Sequence, residues 1–479
     1  MPDSSCFRPL LRILPLLLLA GCATPEPWQP PTPTLPDQWR HAPSLDPANP
    51  AHPIAAGPWW QSLGSPTLDA LEQAALAHHP DRMAVLARLA QAEARLRVAE
   101  SPLLPELELQ SSQQRARRNS ATPSAKATLV QTTQASLAAS YELDYRGRNR
   151  ALTDKAAAEL DAAHLEHDSL LWSLTADLAS GYVKLLTLKA RRAQAEHARA
   201  TATRTLELIR HQVAAGHGSP LDAARQENTV ATIEAQSAAL ALQHDQTEAA
   251  LALLADQPLA AMQHLEGHLE TLRLPVIAPG LPATLLTRRP DIRRAEADLQ
   301  AAHADLQAAR AALFPTIQLT AERGYASNAL GTLLSPASLF WNLSAGMVAT
   351  LFDHGKTAGA IELAQGKRQA AVAAYQRAIL SALKDVEENL AASHWLAEQE
   401  QAQRRAESAA QEALRLAEAR HQAGASDFLA VLEAQRTLLQ AQDERPQIRQ
   451  ARLNAAIGLF KALGGRMEER LPETLPTRP

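Results

Sequence analysis

Cysteine, aromatic residues and charge of one sign are all scarce in this chain, and each scarcity removes a class of protein. Only two cysteines, Cys6 and Cys22, stand among 479 residues, too few for a disulfide framework or a cysteine-rich metal centre. Aromatics are 4% of the chain and the formal net charge is −4 at neutral pH. That leaves neither the ring density of a thick globular core nor the basic field of a nucleic-acid binder. The sequence also lacks a phosphate-cradling glycine loop, a Gly-x-Ser-x-Gly turn and a matched acid–base pair. An enzyme reading has no residues to rest on, and neither a cofactor nor a metal is called for. The apolar run Ile13 to Ala20 falls far short of the roughly 20 residues that a spanning helix needs.

What is present begins with an export signal. Arg8 and Arg12 supply the positive region, the short apolar run follows, and Leu19-Ala20-Gly21-Cys22 resembles a bacterial lipobox. The resemblance implies cleavage after residue 21 and acylation of Cys22, with Ala23 implying sorting to the outer membrane. Residues 22–64 then read as a lipidated, proline-rich tether, because twelve of the 31 prolines fall between Pro25 and Pro66.

Beyond the tether the chain contains itself twice. His78-His79-Pro80-Asp81-Arg82 recurs as Arg288-Arg289-Pro290-Asp291-Ile292, Pro105 as Pro315, and His211-Gln212 as His421-Gln422, each displaced by 210 residues. A unit of about 200 residues is too long for a solenoid repeat and reads as a duplicated half-protein. The boundaries are set at 65–270 and 281–470, with 471–479 as a tail.

Proline is absent between Pro123 and Pro220 and between Pro336 and Pro446. Two long helical patterns fill those gaps, Gly147 to Gln212 and Gly355 to Gln422, each on the order of 100 Å at 1.5 Å per residue. Leu160, Leu170, Leu171, Leu174, Leu178, Leu185 and Leu188 mark an apolar stripe on the first. With Ala, Gln, Glu and Arg covering much of the rest, this predicts a helix packed edge-on rather than one enclosed in a core. Each long helix ends in a glycine-containing turn, after which Ser219-Pro220 and Ser426-Asp427 open a returning helix. A shorter helix precedes each half, Pro66 to Ser101 and Thr284 to Leu313, and Pro446 predicts a kink in the last helix.

Between the shorter and the long helix the period changes from 3.6 to 2. Thr128 to Asp144 and Leu339 to Phe352 alternate apolar and polar residues, and shorter partners run through Leu107–Leu109 and Ile317–Ala321. These read as two hairpins of tilted transmembrane strands. A soluble half-buried sheet gives the same alternation. If the strands span, four of them cannot close a barrel, because open edges are intolerable in lipid. Three copies, giving twelve strands, would.

Strand, long helix, tight turn and returning helix, twice over behind a lipobox, resembles the TolC-like outer membrane factors, specifically the NodT-type lipoprotein branch. The residues carrying the match include Tyr141-Glu142-Leu143-Asp144 with Gly147-Arg148, Arg288 to Glu296, Leu313-Phe314-Pro315, Leu351 to Gly355, Gly424-Ala425-Ser426 leading to Leu432 to Arg436, and Leu459 to Gly465. The resemblance implies a mixed α+β membrane protein with four transmembrane β-strands per chain and long antiparallel helical hairpins in two tandem repeats. Its homotrimer would form a twelve-stranded outer-membrane barrel continuous with a periplasmic α-barrel. The partners implied are a periplasmic adaptor (membrane fusion protein), an inner-membrane RND-type transporter and outer-membrane lipid, with no nucleic acid. The function implied is passive conduction of small toxic compounds or drugs to the exterior. A duct for type I secretion shares these features, and a non-transporting coiled-coil scaffold lipoprotein would need only the helices.

The resemblance also places a gate at the hairpin tips. Leu429 takes the apolar ring position, Glu433 and Arg436 the charged contacts of the second hairpin, and Asp222 with Arg225 their equivalents in the first. Ala430 stands where TolC carries an aspartate, and Glu433 replaces another, so the gate would be wired differently. Read without the family, Glu433 and Arg436 are an ordinary i,i+3 surface pair. His164-x-x-His167 lacks a third ligand, and Met262, His264 and His268 fit no ligand spacing, so both groups read as surface residues.

Overall fold

A computed structural model describes residues 31, 35–42, 58–118, 128–263 and 265–464. The signal segment, the lipobox with Cys22, His264 and the 471–479 tail lie outside the described residues. The main elements in chain order are α1 (Pro66–His78), α2 (Pro80–Glu100), β1 (Glu106–Arg118), β2 (Thr128–Glu142), α3 (Arg148–Ala214), α4 (Pro220–Leu254), α5 (Pro290–Ala311), β3 (Thr316–Ser327), β4 (Leu339–Val348), α6 (Lys356–Gln422) and α7 (Phe428–Leu463). The two long helices are 67 residues each, as proline-free runs of good helix formers allow.

Two sequence expectations need correction here. The helix expected from Pro66 to Ser101 is two helices, because Pro80 forces His79 out of the helical region, to ψ 130°. The same break precedes Pro290, where Arg289 sits at ψ 121° after a single turn Leu285–Arg288. The strands also stop earlier than expected, at Glu142 and Val348. The last helix runs through Pro446 without interruption.

The chain divides into two compact units, each drawing on both halves of the sequence. Among the described residues one unit takes in 95–118, 128–158 and 298–372 and holds a four-stranded, wholly antiparallel sheet of order β1-β2-β3-β4. Register follows the period-2 pattern. Leu109 faces Leu137, Leu137 faces Arg323 and Arg323 faces Trp341, which puts the odd-numbered residues of all four strands on one side. That side is apolar and uncovered: Leu109 is 82% exposed, Trp341 76% and Leu343 73%. The strands turn into helices at Gly147 and Gly355, whose φ of +73° and +86° only glycine adopts without strain. Asp305 of α5 accepts from Lys155 of α3 at 2.8 Å and from Lys367 of α6 at 3.3 Å, tying three helices to one carboxylate.

The other unit comprises residues 33–94, 159–297 and 373–479 and carries the main core. Leu178, Tyr182, Leu185 and Leu186 on α3 are essentially sealed from solvent, as are Leu63, Leu68, Leu251, Met262 and Phe460. This corrects the edge-on reading of α3, since its middle is enclosed. The covering groups come from segments that looked like linkers. Trp59 stacks on Phe460 at 5.1 Å, and the Trp39 indole donates to the Gly280 carbonyl at 2.8 Å. Residues 35–42 and 58–64, assigned to a free tether, are therefore part of the body where they are described.

Candidate functional site: the hairpin tips and the sheet faces

The two helical hairpins end in the same turn. In the first, the His217 amide donates to Gln212 O and the Gly216 amide to Val213 O; in the second, Ala425 donates to Arg420 O and Gly424 to His421 O. These paired bonds form the Schellman motif, with Gly216 and Gly424 left-handed at φ +77° and +70°. Asp427, not Ser426, caps α7 by accepting from the Ala430 amide at 3.3 Å. Ser219 holds the N-cap position of α4 without a side-chain bond.

Phe428 and Val431 pack with Ile209 into a small core that includes Val213, Ala223, Leu414, Ala417 and Leu432. That core joins α3, α4, α6 and α7 at their tips. Consecutive helical residues point about 100° apart, so burying Phe428 turns Leu429 out, where it is 37% exposed. Asp222 and Arg225 approach to 3.5 Å, a pairing within α4. Glu433 and Arg436 are both exposed, and among the described residues no ion pair joins them. The structure thus gathers Leu429, Asp222 and Arg225 near the tips, leaves Glu433 and Arg436 presented outward, and does not realise the i,i+3 pair.

Sorting of charge across the sheet is a feature that the sequence reading only half caught. Glu106, Glu108, Glu142 and Glu322 share the polar face by register, and Arg115, Arg117 and Arg323 share the apolar one, while Arg118 at the end of β1 falls on the glutamate side. Glu322 accepts from Gln134 at 2.7 Å and Ser136 at 2.6 Å across β2 and β3. The signal lay in residue parity, but Glu322-Arg323 sits beyond the stretch of β3 that alternates cleanly.

The metal candidates do not assemble. His164 is exposed, His167 lies against Asp168 at 3.4 Å, and Met262 is buried while His268 is not. His244 sets Nδ1 3.4 Å from Asp245 and Nε2 3.7 Å from Glu248. One ligand atom from each of His244, Asp245 and Glu248 lies within 4.8 Å of the other two, a grouping that the sequence reading did not single out.

The family model described as "Outer membrane efflux protein" matches residues 71–256 and 281–465, most of the chain. The chain belongs to the outer membrane efflux protein family. Its place is the outer membrane and its work is that of an exit duct in a tripartite efflux system. It is 37% identical to the pyoverdine export outer membrane protein OpmQ of Pseudomonas aeruginosa, over 94% of this chain and 95% of that one. It is 34% identical to the toluene efflux pump outer membrane protein TtgF of Pseudomonas putida, over 72% and 71% of the two chains. Among solved structures, the open-state MtrE outer membrane channel of Neisseria gonorrhoeae superposes with a TM-score of 0.82 at 26% identity, covering 93% of this chain and 99% of that one. The fold class is accordingly a helix-rich mixed α+β channel fold, in a family of channels rather than enzymes.

Proposed function

We propose that three copies of this chain close a twelve-stranded outer-membrane barrel and conduct small toxic compounds or drugs passively to the exterior. One observation supports this above the rest: β1 and β4 are unpaired edges of a sheet whose apolar face is open. In lipid every backbone N–H and C=O needs a partner, so β4 of one protomer must find β1 of the next. The carboxylates on the polar face then line the lumen. The helical hairpins carry the lumen into the periplasm, where the tips meet the adaptor.

An RND-type transporter supplies the energy, and the duct itself performs no chemistry. Acylation at Cys22 anchors the N-terminus in the outer membrane. Leu429 narrows the resting tip, while Glu433, Arg436, Asp222 and Arg225 hold neighbouring helices together there. The relatives' names span siderophore export and solvent efflux, which fits a generic pore with selection upstream. The test is deletion of the gene in a host with its own adaptor and pump. Loss of the duct should raise sensitivity to amphipathic antibiotics and solvents, and the wild-type gene should restore resistance. Unchanged sensitivity with loss of an exported protein instead would assign the duct to type I secretion.

A further inference from the structure

We infer that the membrane face of the sheet carries a binding site for a phosphorylated glycolipid of the outer leaflet, built from Arg115 and Arg117. The inference rests on the barrel reading above, which sets that face against lipid.

Arg115, Arg117 and Arg323 are exposed and stand on the apolar side of the sheet, while the strand glutamates Glu106, Glu108, Glu142 and Glu322 stand on the other. Arg118, the last residue of β1, falls on the glutamate side by register, so the sorting holds for every strand glutamate and for three of the four strand arginines. On β1 the apolar residues of this face end at Leu109, after which Ser111, Gln113, Arg115 and Arg117 follow at alternate positions. Arg115 is six residues beyond Leu109, or about 20 Å along the strand, on the side away from the helices. It faces Gln131. Arg117 lies about 7 Å further and faces Leu129. Both therefore project where the hydrocarbon belt gives way to headgroups.

Arg323 sits lower, between Leu137 and Trp341 on neighbouring strands. Through Leu137 it is level with Leu109, about 20 Å along the strand from Arg115 and beyond the reach of an arginine stem, so it lies in the apolar belt and not at the headgroup layer. None of the three has an ion-pair partner among the described residues. Unpaired charge on a lipid-facing surface is costly unless the lipid supplies the counter-ion. A phosphate is the fitting one, because the planar guanidinium fork matches its oxygens. The arginine pair on β1 would hold one phosphate.

The test uses the full-length acylated protein in mild detergent, with bisphosphorylated lipid A and its dephosphorylated form as probes. Native mass spectrometry would read both lipid occupancy and oligomeric mass. A basic residue close to an anionic lipid surface contributes a factor of about five. Arg115→Gln with Arg117→Gln should therefore weaken lipid A binding roughly 25-fold, while Arg323→Gln, away from that layer, should leave it unchanged. The Lys versions of Arg115 and Arg117 should retain most of the binding, and Glu108→Gln on the polar face should change nothing. Trimers that hold both lipids equally, or a double variant with wild-type affinity, would overturn the lipid site and leave the duct intact. A monomer without lipid preference would overturn both.

Discussion

The C-terminal helix is held at its end by a group from the other end of its repeat, and removing that group should loosen one turn in a measurable way. Arg289 is 8% exposed and donates to Ala462 O at 3.0 Å, to both carboxylate oxygens of Asp291 at 2.9 and 2.6 Å, and to Asp385 at 3.1 Å. Ala462 O is one of the last four carbonyls of α7, which have no acceptor role inside the helix. Its neighbour Lys461 O is satisfied by the Trp172 indole at 3.1 Å. In Arg289→Met the Ala462 carbonyl loses its donor, a cost of about 1–3 kcal/mol. The carboxylates of Asp291 and Asp385 are 42% and 36% exposed, so water takes over there and each loss is at most about 1 kcal/mol. The sum is about 3 kcal/mol, which for local opening is about a hundredfold loss of amide protection. Hydrogen exchange read at residues 457–463 should show it, with Arg288→Met as the control, since Arg288 is exposed. Equal exchange in the two variants would refute the capping role.

Three further outcomes are expected. Leu429→Ala combined with Glu433→Ala and Arg436→Ala should raise single-channel conductance in planar bilayers and admit large antibiotics such as vancomycin; unchanged conductance in intact oligomers would place the gate elsewhere. Glu72 is fully buried with neither carboxylate oxygen hydrogen-bonded, and burial, with the Asp69 charge adding to it, pushes its carboxyl from 4.5 up to about 10. The folded chain then keeps a proton that the unfolded chain releases, so this contribution is full below the ordinary carboxylate range and is lost as pH climbs toward the raised value. Glu72→Gln should raise the unfolding midpoint at pH 9 more than at pH 5, and an equal shift at both would show that Glu72 does not titrate this way. Cys22→Ser should abolish labelling by a fatty-acid probe and leave the signal uncleaved; equal labelling of the variant would remove the lipobox.

Much of the fold was legible because each element is marked by a strong local device. Proline-free alanine-rich runs set both long helices to within two residues, and period-2 alternation located both hairpins. What the sequence hid was tertiary. The breaks at His79 and Arg289 follow from the residue after each, a weak steric rule that helical periodicity overrode. The enclosed middle of α3 looked half-exposed because its cover includes Trp59, whose indole donates to Thr175 of α3 at 3.3 Å and which comes from a proline-rich segment that periodicity cannot assign to a core. At the tips, the Phe428 core was invisible because its members lie on four helices. The arginine and glutamate faces needed the register of all four strands.

The central claim is a barrel closed by three chains, and the most direct measurement is the native mass of the detergent-extracted protein alongside its β-sheet signal in circular dichroism. Three chains per particle with the sheet intact is the expected result. A stable monomer that keeps its β-sheet signal would leave β1 and β4 unpaired in lipid and contradict the account.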